Sequence, residues 1–137
     1  MGEDASYTLD ENIMVGEQTF LLPFPPSVNA LTRNIPGRGR VKTKAYKAWI
    51  LEAGLRLNLQ RPKRMAGLVR LSIRAVKPDR RRRDLGNLEK AVSDLLVEHR
   101  IIEDDSLIQA ITMQWWSSDN MTGISATLTT VLPGEEH

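Results

Sequence analysis

The chain has no cysteine. Disulfides, thiolate metal sites and cysteine nucleophiles are therefore excluded, and a reducing compartment such as the cytoplasm is expected. Histidine is nearly absent: His99 and the terminal His137 are the only two. No Ser-His-Asp arrangement is suggested, and no zinc-finger spacing exists. No glycine-rich loop precedes a Lys-Ser or Lys-Thr pair, which argues against an NTPase. No apolar run approaches the ~20 residues needed to span a bilayer, so no membrane partner is expected. Residues 1–32 contain five acids and neither lysine nor arginine, unlike a signal or transit peptide.

The missing cations are concentrated further on. Residues 33–90 hold 18 of the 19 lysines and arginines against four acids, and residues 91–137 hold Arg100 alone against eight. The net charge of +2 thus conceals a long basic block. A segregated block of this length is the electrostatic footprint of a nucleic-acid binder. A solvated basic face is the plainer alternative.

At 137 residues the chain is one domain by size. A polar, frayed tail is expected over residues 1–18, and a folded domain over residues 19–137. Thr19–Leu22 reads as a short strand stopped by Pro23-Phe24-Pro25-Pro26. Ser27–Arg40 reads as a basic loop. Thr43 is a plausible cap for a helix whose apolar face is Tyr46, Trp49, Ile50, Ala53 and Leu57. That helix should end before Arg61-Pro62.

Val69, Leu71, Ile73 and Ala75 alternate with polar residues, as a half-buried strand does. A second helix is expected from near Asp84, with Leu85, Leu88, Val92, Leu95 and Leu96 as its stripe. Two more strands alternate through Ile111, Met113 and Trp115, and through Ile124, Ala126 and Leu128. The order strand, helix, strand, helix, strand, strand predicts an α/β (α+β) fold. The expected form is a two-layer sandwich, a mixed four-stranded sheet with two main helices on one face.

The most informative stretch is Pro78-Asp79-Arg80-Arg81-Arg82-Arg83-Asp84-Leu85-Gly86-Asn87-Leu88-Glu89-Lys90. Four arginines would draw a phosphate to the start of a helix, where backbone donors also favour anions. Asp84 beside that phosphate needs a bridging cation such as Mg²⁺; as a simple helix cap it needs none. Lys90 could reach the same phosphate, or pair with Glu89 or Asp94 on the surface. Glu103-Asp104-Asp105 is a second acidic cluster that could complete a metal site or form a solvated turn. If Asp105 opens the following strand, Asp104 and Asp105 point to opposite sides. Tyr46, Trp49, Trp115 and Trp116 are candidates for base stacking, but their spacing suits a core better; Trp116 is the one expected outside.

The run from Pro78 to Lys90, with Asp104-Asp105 downstream, resembles the RusA family of Holliday junction resolvases. Leu22-Pro23-Phe24-Pro25-Pro26-Ser27-Val28-Asn29 resembles the family's opening. The resemblance spans about Phe20 to Leu132. It implies a homodimeric endonuclease, bacterial or phage-encoded, that nicks four-way junction DNA with Mg²⁺ or Mn²⁺ and no small-molecule cofactor. It implies catalytic Asp84, Lys90 and Asp105, with Asp84, Asp105 and Asp104 as candidate metal ligands. Arg38, Arg40, Lys42, Lys44 and Arg80, Arg81, Arg82 and Arg83 would contact the DNA backbone. The family pattern reads Asp-Leu-Asp-Asn where this chain has Asp84-Leu85-Gly86-Asn87. The missing carboxylate leaves a binding module without cleavage as the alternative.

Overall fold

The computed structural model describes residues 13–26, 32–78, 88–117 and 122–134. Its strands are β1 (Ile13–Met14), β2 (Glu17–Leu22), β3 (Thr32–Ile35), β4 (Gly39–Lys42), β5 (Arg64–Met65), β6 (Val69–Val76), β7 (Ile108–Trp115) and β8 (Gly123–Thr130). Its helices are α1 (Lys44–Leu59) and α2 (Leu88–Glu98). The main sheet is four-stranded and mixed, in the order β2-β8-β6-β7. Strands β6 and β7 are parallel, whereas β8 runs antiparallel to both β2 and β6. The parallel pair follows from connectivity, because the chain passes through α2 between them, and a crossover returns the strand in the same direction. The expected mixed α/β fold with a four-stranded sheet is what forms.

Side-chain alternation explains the sheet. Phe20 and Leu22, Ile124, Ala126 and Leu128, and Val69, Leu71, Ile73 and Ala75 are all buried. The register sets Ala126 beside both Phe20 and Ile73, so these residues share one face. The intervening residues are polar: Arg70, Ser72 and Arg74 on β6, Ser125, Thr127 and Thr129 on β8. Thr19 and Thr127 join hydroxyls across that face at 2.8 Å. The core continues into Tyr46, Trp49, Ala53 and Leu57 of α1 and Leu88, Ala91, Val92, Leu95 and Leu96 of α2.

Helix α1 begins where expected. The Thr43 hydroxyl accepts the Tyr46 N–H at 3.2 Å, satisfying one of the donors that a helix start leaves unpaired. The Trp49 indole donates to the Pro23 carbonyl at 2.9 Å and ties the proline-rich segment to the helix. At the other end the Gln60 side-chain amide bonds both the N–H and the carbonyl of Leu21 at 2.8 Å.

Three expectations change. The loop placed at Ser27–Arg40 contains the β3–β4 hairpin, paired from Thr32↔Lys42 to Ile35↔Gly39. Its turn uses Gly37 and Gly39 at φ 81° and 74°, conformations that glycine adopts without strain. The tail placed at residues 1–18 contains β1, paired in parallel with β5, and the start of β2; residues 1–12 lie outside the described ones. Ile111, read as core-facing, is 39% exposed, because β7 is an edge strand. The helix start near Asp84, Leu85, and the turn residues Ser118, Asp119 and Asn120 also lie outside the described residues.

Gly123 opens β8 at φ +83°, and a Cβ there would stand 2.3 Å from the Leu22 carbonyl oxygen. Gly123→Ala therefore meets backbone on a neighbouring strand as well as left-handed strain. The expected loss is on the order of 2–4 kcal/mol in denaturant unfolding. Gly37→Ala, with open space around its Cβ, should lose about 1 kcal/mol. Equal losses at both positions would contradict the close approach.

Candidate active-site cleft

A cleft of about 540 Å³ opens where β4, both helices and the turn before β7 meet. Lys42, Tyr46 and Lys47 line one side, from the end of β4 and the first turn of α1. Asp94 and Glu98 project from α2, one helical turn apart, while Leu95 and Val97 give the floor its apolar part. Asp104 and Asp105 close the end. Four carboxylates thus share one cleft with two lysines.

Local structure fixes Asp104. After the buried pair Ile101 and Ile102, the chain extends at Asp104 and then turns into a short 3-10 segment, Asp105–Leu107. The Asp104 carboxylate caps this segment, accepting the Ser106 N–H at 3.1 Å and the Ser106 hydroxyl. Those bonds favour the ionised form and hold the Asp104 carboxyl below its ordinary range, the hydroxyl having the largest effect. The condition under which the two aspartates would point apart, that Asp105 opens the strand, is not met. Strand β7 starts at Ile108, and the intervening turn lets both aspartates line the same cleft.

A prediction follows for Ser106→Ala. The Asp104 pKa should rise toward that of a free carboxylate, followed by carboxyl NMR titration. Because the folded-state value is depressed, the interaction stabilises the fold above the ordinary carboxylate range and is lost as pH falls through the lowered value. An unchanged Asp104 titration would contradict the cap's role.

Tyr46 is buried and stacks on Trp49, with ring centroids 6.2 Å apart. Burial, and then the charge of Asp94, push its phenol up, so it enters the cleft as a neutral donor. Lys90 sits on α2 with its ammonium 3.2 Å from Asp94, the surface pairing that was one of its two readings. Both partners are half exposed, and such a helical pair is worth about 0.3–0.5 kcal/mol.

The basic residues separate by element. Arg38 lies in the hairpin turn, Arg40 and Lys42 are exposed on β4, and Lys44 opens α1. Arg40 and Lys42 are two apart on one strand and so share a face; Lys42 reaches the cleft. Asp84, Gly86, Asn87 and Arg80 to Arg83 lie outside the described residues. Sequence reading did not single out Lys47 or Glu98, which look like ordinary helix-surface charges, and named Asp94 only as a partner for Lys90; Tyr46, read as core, is buried and also lines the cleft. The acid four residues before Glu98 on one helix face was the available signal.

Among the described residues no group of three or more histidines or acids has metal-binding geometry. The described donors that converge are carboxylate oxygens, the chemistry preferred by hard divalent cations. Asp104 and Asp105 offer carboxylate oxygens of that kind to the cleft.

Four carboxylates and two lysines thus line one cleft of a small α/β domain, with a basic hairpin beside it. Residues 23–129 match the family model described as Endodeoxyribonuclease RusA, and the chain belongs to that family. It is 38% identical over 93 residues to the crossover junction endodeoxyribonuclease RusA of Escherichia coli K12, covering 64% of this chain and 72% of that protein. It is 33% identical over 97 residues to the enzyme of the same name from Enterobacteria phage HK97, covering 66% and 76%. No described helix is long and apolar enough to cross a membrane.

Proposed function

We propose that this chain is a divalent-metal-dependent endonuclease that resolves four-way DNA junctions by paired nicks, acting as a homodimer. The observation that supports the reading is the convergence of Asp104, Asp105, Asp94 and Lys42 on one cleft, with Lys90 paired to Asp94 at its edge, in a chain of the RusA family. The folded unit is a single nuclease domain from Ile13 onward. Its helices pack on the one apolar face of the sheet, as the burial of that face supports.

Asp84, Asp105 and Asp104 would hold the cation, Mg²⁺ or Mn²⁺. When bound, it supplies Lewis-acid activation of water and neutralises phosphate charge. Asp105 would contribute a carboxylate to that cation at the cleft, while Ser106 favours the ionised Asp104 carboxylate. Lys90, released from Asp94, stabilises negative charge developing on the phosphate oxygens. The neutral Tyr46 phenol offers a hydrogen bond from the opposite wall. Arg38, Arg40, Lys42 and Lys44, with Arg80 to Arg83, grip the backbone and steer the junction inward.

Gly86 favours a second reading, in which the chain binds junctions without cutting them. The test is a nicking assay on a synthetic four-way junction with Mg²⁺ or Mn²⁺, run on this chain and on Gly86→Asp. Nicking by the chain itself is expected, with a gain of about tenfold or more in Gly86→Asp, the size of effect one added charge-stabilising group can have. Binding without nicking, with activity appearing only in Gly86→Asp, would establish the second reading. Neither binding nor nicking by either protein would refute both.

A further inference from the structure

Trp116 is the one aromatic among the exposed large apolar side chains of the described residues, at 43% exposure. The cleft makes no use of it. Strand β7 ends at Trp115, which packs on the core and stacks parallel to Phe24 with ring centroids 6.2 Å apart. The Lys77 ammonium lies 5.0 Å from the Trp115 ring centroid. The following residue is pinned by its backbone, the Trp116 N–H donating to the Ala75 carbonyl at 2.8 Å. Arg74 belongs to the polar face of β6, the side away from buried Ile73 and Ala75. Its guanidinium carbon lies 4.4 Å from the Trp116 ring centroid, well within cation–π range.

The same face suits a polyanion. Arg70 and Arg74 share it with Ser72 and, through the strand register, with Thr112 and Thr127. Strands β6, β7 and β8 contain no acid at all, so nothing on them repels a phosphate. An aromatic ring left in water beside a guanidinium binds nucleotides without reading their sequence: the ring stacks on a base while cations hold the backbone. Bases inside a duplex are already stacked on one another, so the face offered to such a ring is that of an unpaired base.

We propose that Trp116 and Arg74 form a second nucleic-acid contact, a stacking site for an unpaired base. The ligand is single-stranded DNA, or the same chemistry where strands part at the centre of a junction. Trp116 follows β7 and Asp105 precedes it, so the eight residues of that strand separate them by on the order of 25 Å. Trp116 is therefore a binding residue, remote from the phosphate held in the cleft. The site goes beyond the proposed nicking, because it needs an exposed base and not the cleft carboxylates.

Fluorescence anisotropy of the full chain with a labelled oligothymidylate, and with an abasic strand of the same length, tests this. Both ligands carry the same phosphates, so only a base-stacking site tells them apart. The wild type should bind the oligothymidylate about tenfold more tightly, the size of effect that stacking on one base can have. Trp116→Leu should abolish that preference, and Trp116→Phe should keep part of it. Neither should change binding of the abasic strand, whereas Arg74→Gln should weaken binding of both strands. Circular dichroism checks that each variant keeps the fold; the wild-type comparison stands without them. Binding of Trp116→Leu to a fully paired four-way junction identifies the source of the base. A loss there places it at the branch point, and no loss places it in a single-stranded segment. Equal binding of the two strands by the wild type, binding of neither, or an undiminished preference in Trp116→Leu would overturn the proposal. Junction nicking is read in its own assay and would survive that failure.

Discussion

Asp105→Asn is expected to lower junction nicking by about 10²-fold or more while leaving junction affinity nearly unchanged, in line with the loss of one preorganised charged group at a reacting centre. Asp105 begins the 3-10 turn and faces the cleft that also holds Asp94 and lies beside Lys90. Asparagine keeps the shape and the turn but removes the charge that would bind a cation. On the proposed reading binding energy comes instead from the arginines and lysines, so affinity should hold or rise as a negative charge is removed. Asp104→Asn should cost less activity, because that carboxylate is also committed to Ser106. Single-turnover nicking with separately measured binding divides the two effects. Equal nicking by Asp105→Asn and the wild type would remove Asp105 from the mechanism.

Raising NaCl from about 50 to about 200 mM should weaken junction binding by roughly 10³-fold, the loss expected when six or more phosphates are neutralised. Eighteen lysines and arginines lie within residues 33–90. Of those on the hairpin and at the start of α1, Lys42 and Lys47 line the cleft. Arg40→Ala/Lys42→Ala should reduce the salt slope by about two, one per lost phosphate contact. Fluorescence anisotropy over a salt series reads both quantities. A flat response would mean that the basic block is an ordinary solvated face.

How far the sequence disclosed this arrangement depends on what kind of signal each part carries. Helix α1 and strands β6 and β8 were legible because their apolar spacing matches a single period and their burial follows it residue by residue. Thr43 was legible as a cap because its hydroxyl precedes an apolar helical face. The β3–β4 hairpin was not: Thr-Arg-Asn-Ile and Gly-Arg-Val-Lys bury almost nothing, so no alternation marks them. The exposure of Ile111 depends on which strand ends at the sheet edge, a property of topology rather than of local pattern.

The candidate site divides in the same way. Asp104 and Asp105 stand out as neighbours in sequence, but their shared orientation depends on a three-residue turn that looks like the beginning of a strand. Asp94, Glu98 and Lys47 gain meaning only when α1 and α2 come together. Lys90 was read two ways, and the structure gives it the surface partner Asp94. The arginine run into Asp84 carried the strongest chemical message in the sequence; it lies outside the described residues, and its role is part of the proposal.

The most direct measurement is strand-resolved cleavage of a synthetic four-way junction by this chain, with Mg²⁺ or Mn²⁺ and with chelator. The account predicts metal-dependent nicks placed symmetrically in two opposing strands, and little cutting of a linear duplex of the same sequence. Tight junction binding with no nicks under any metal condition, or equal cutting of linear duplex, would contradict it.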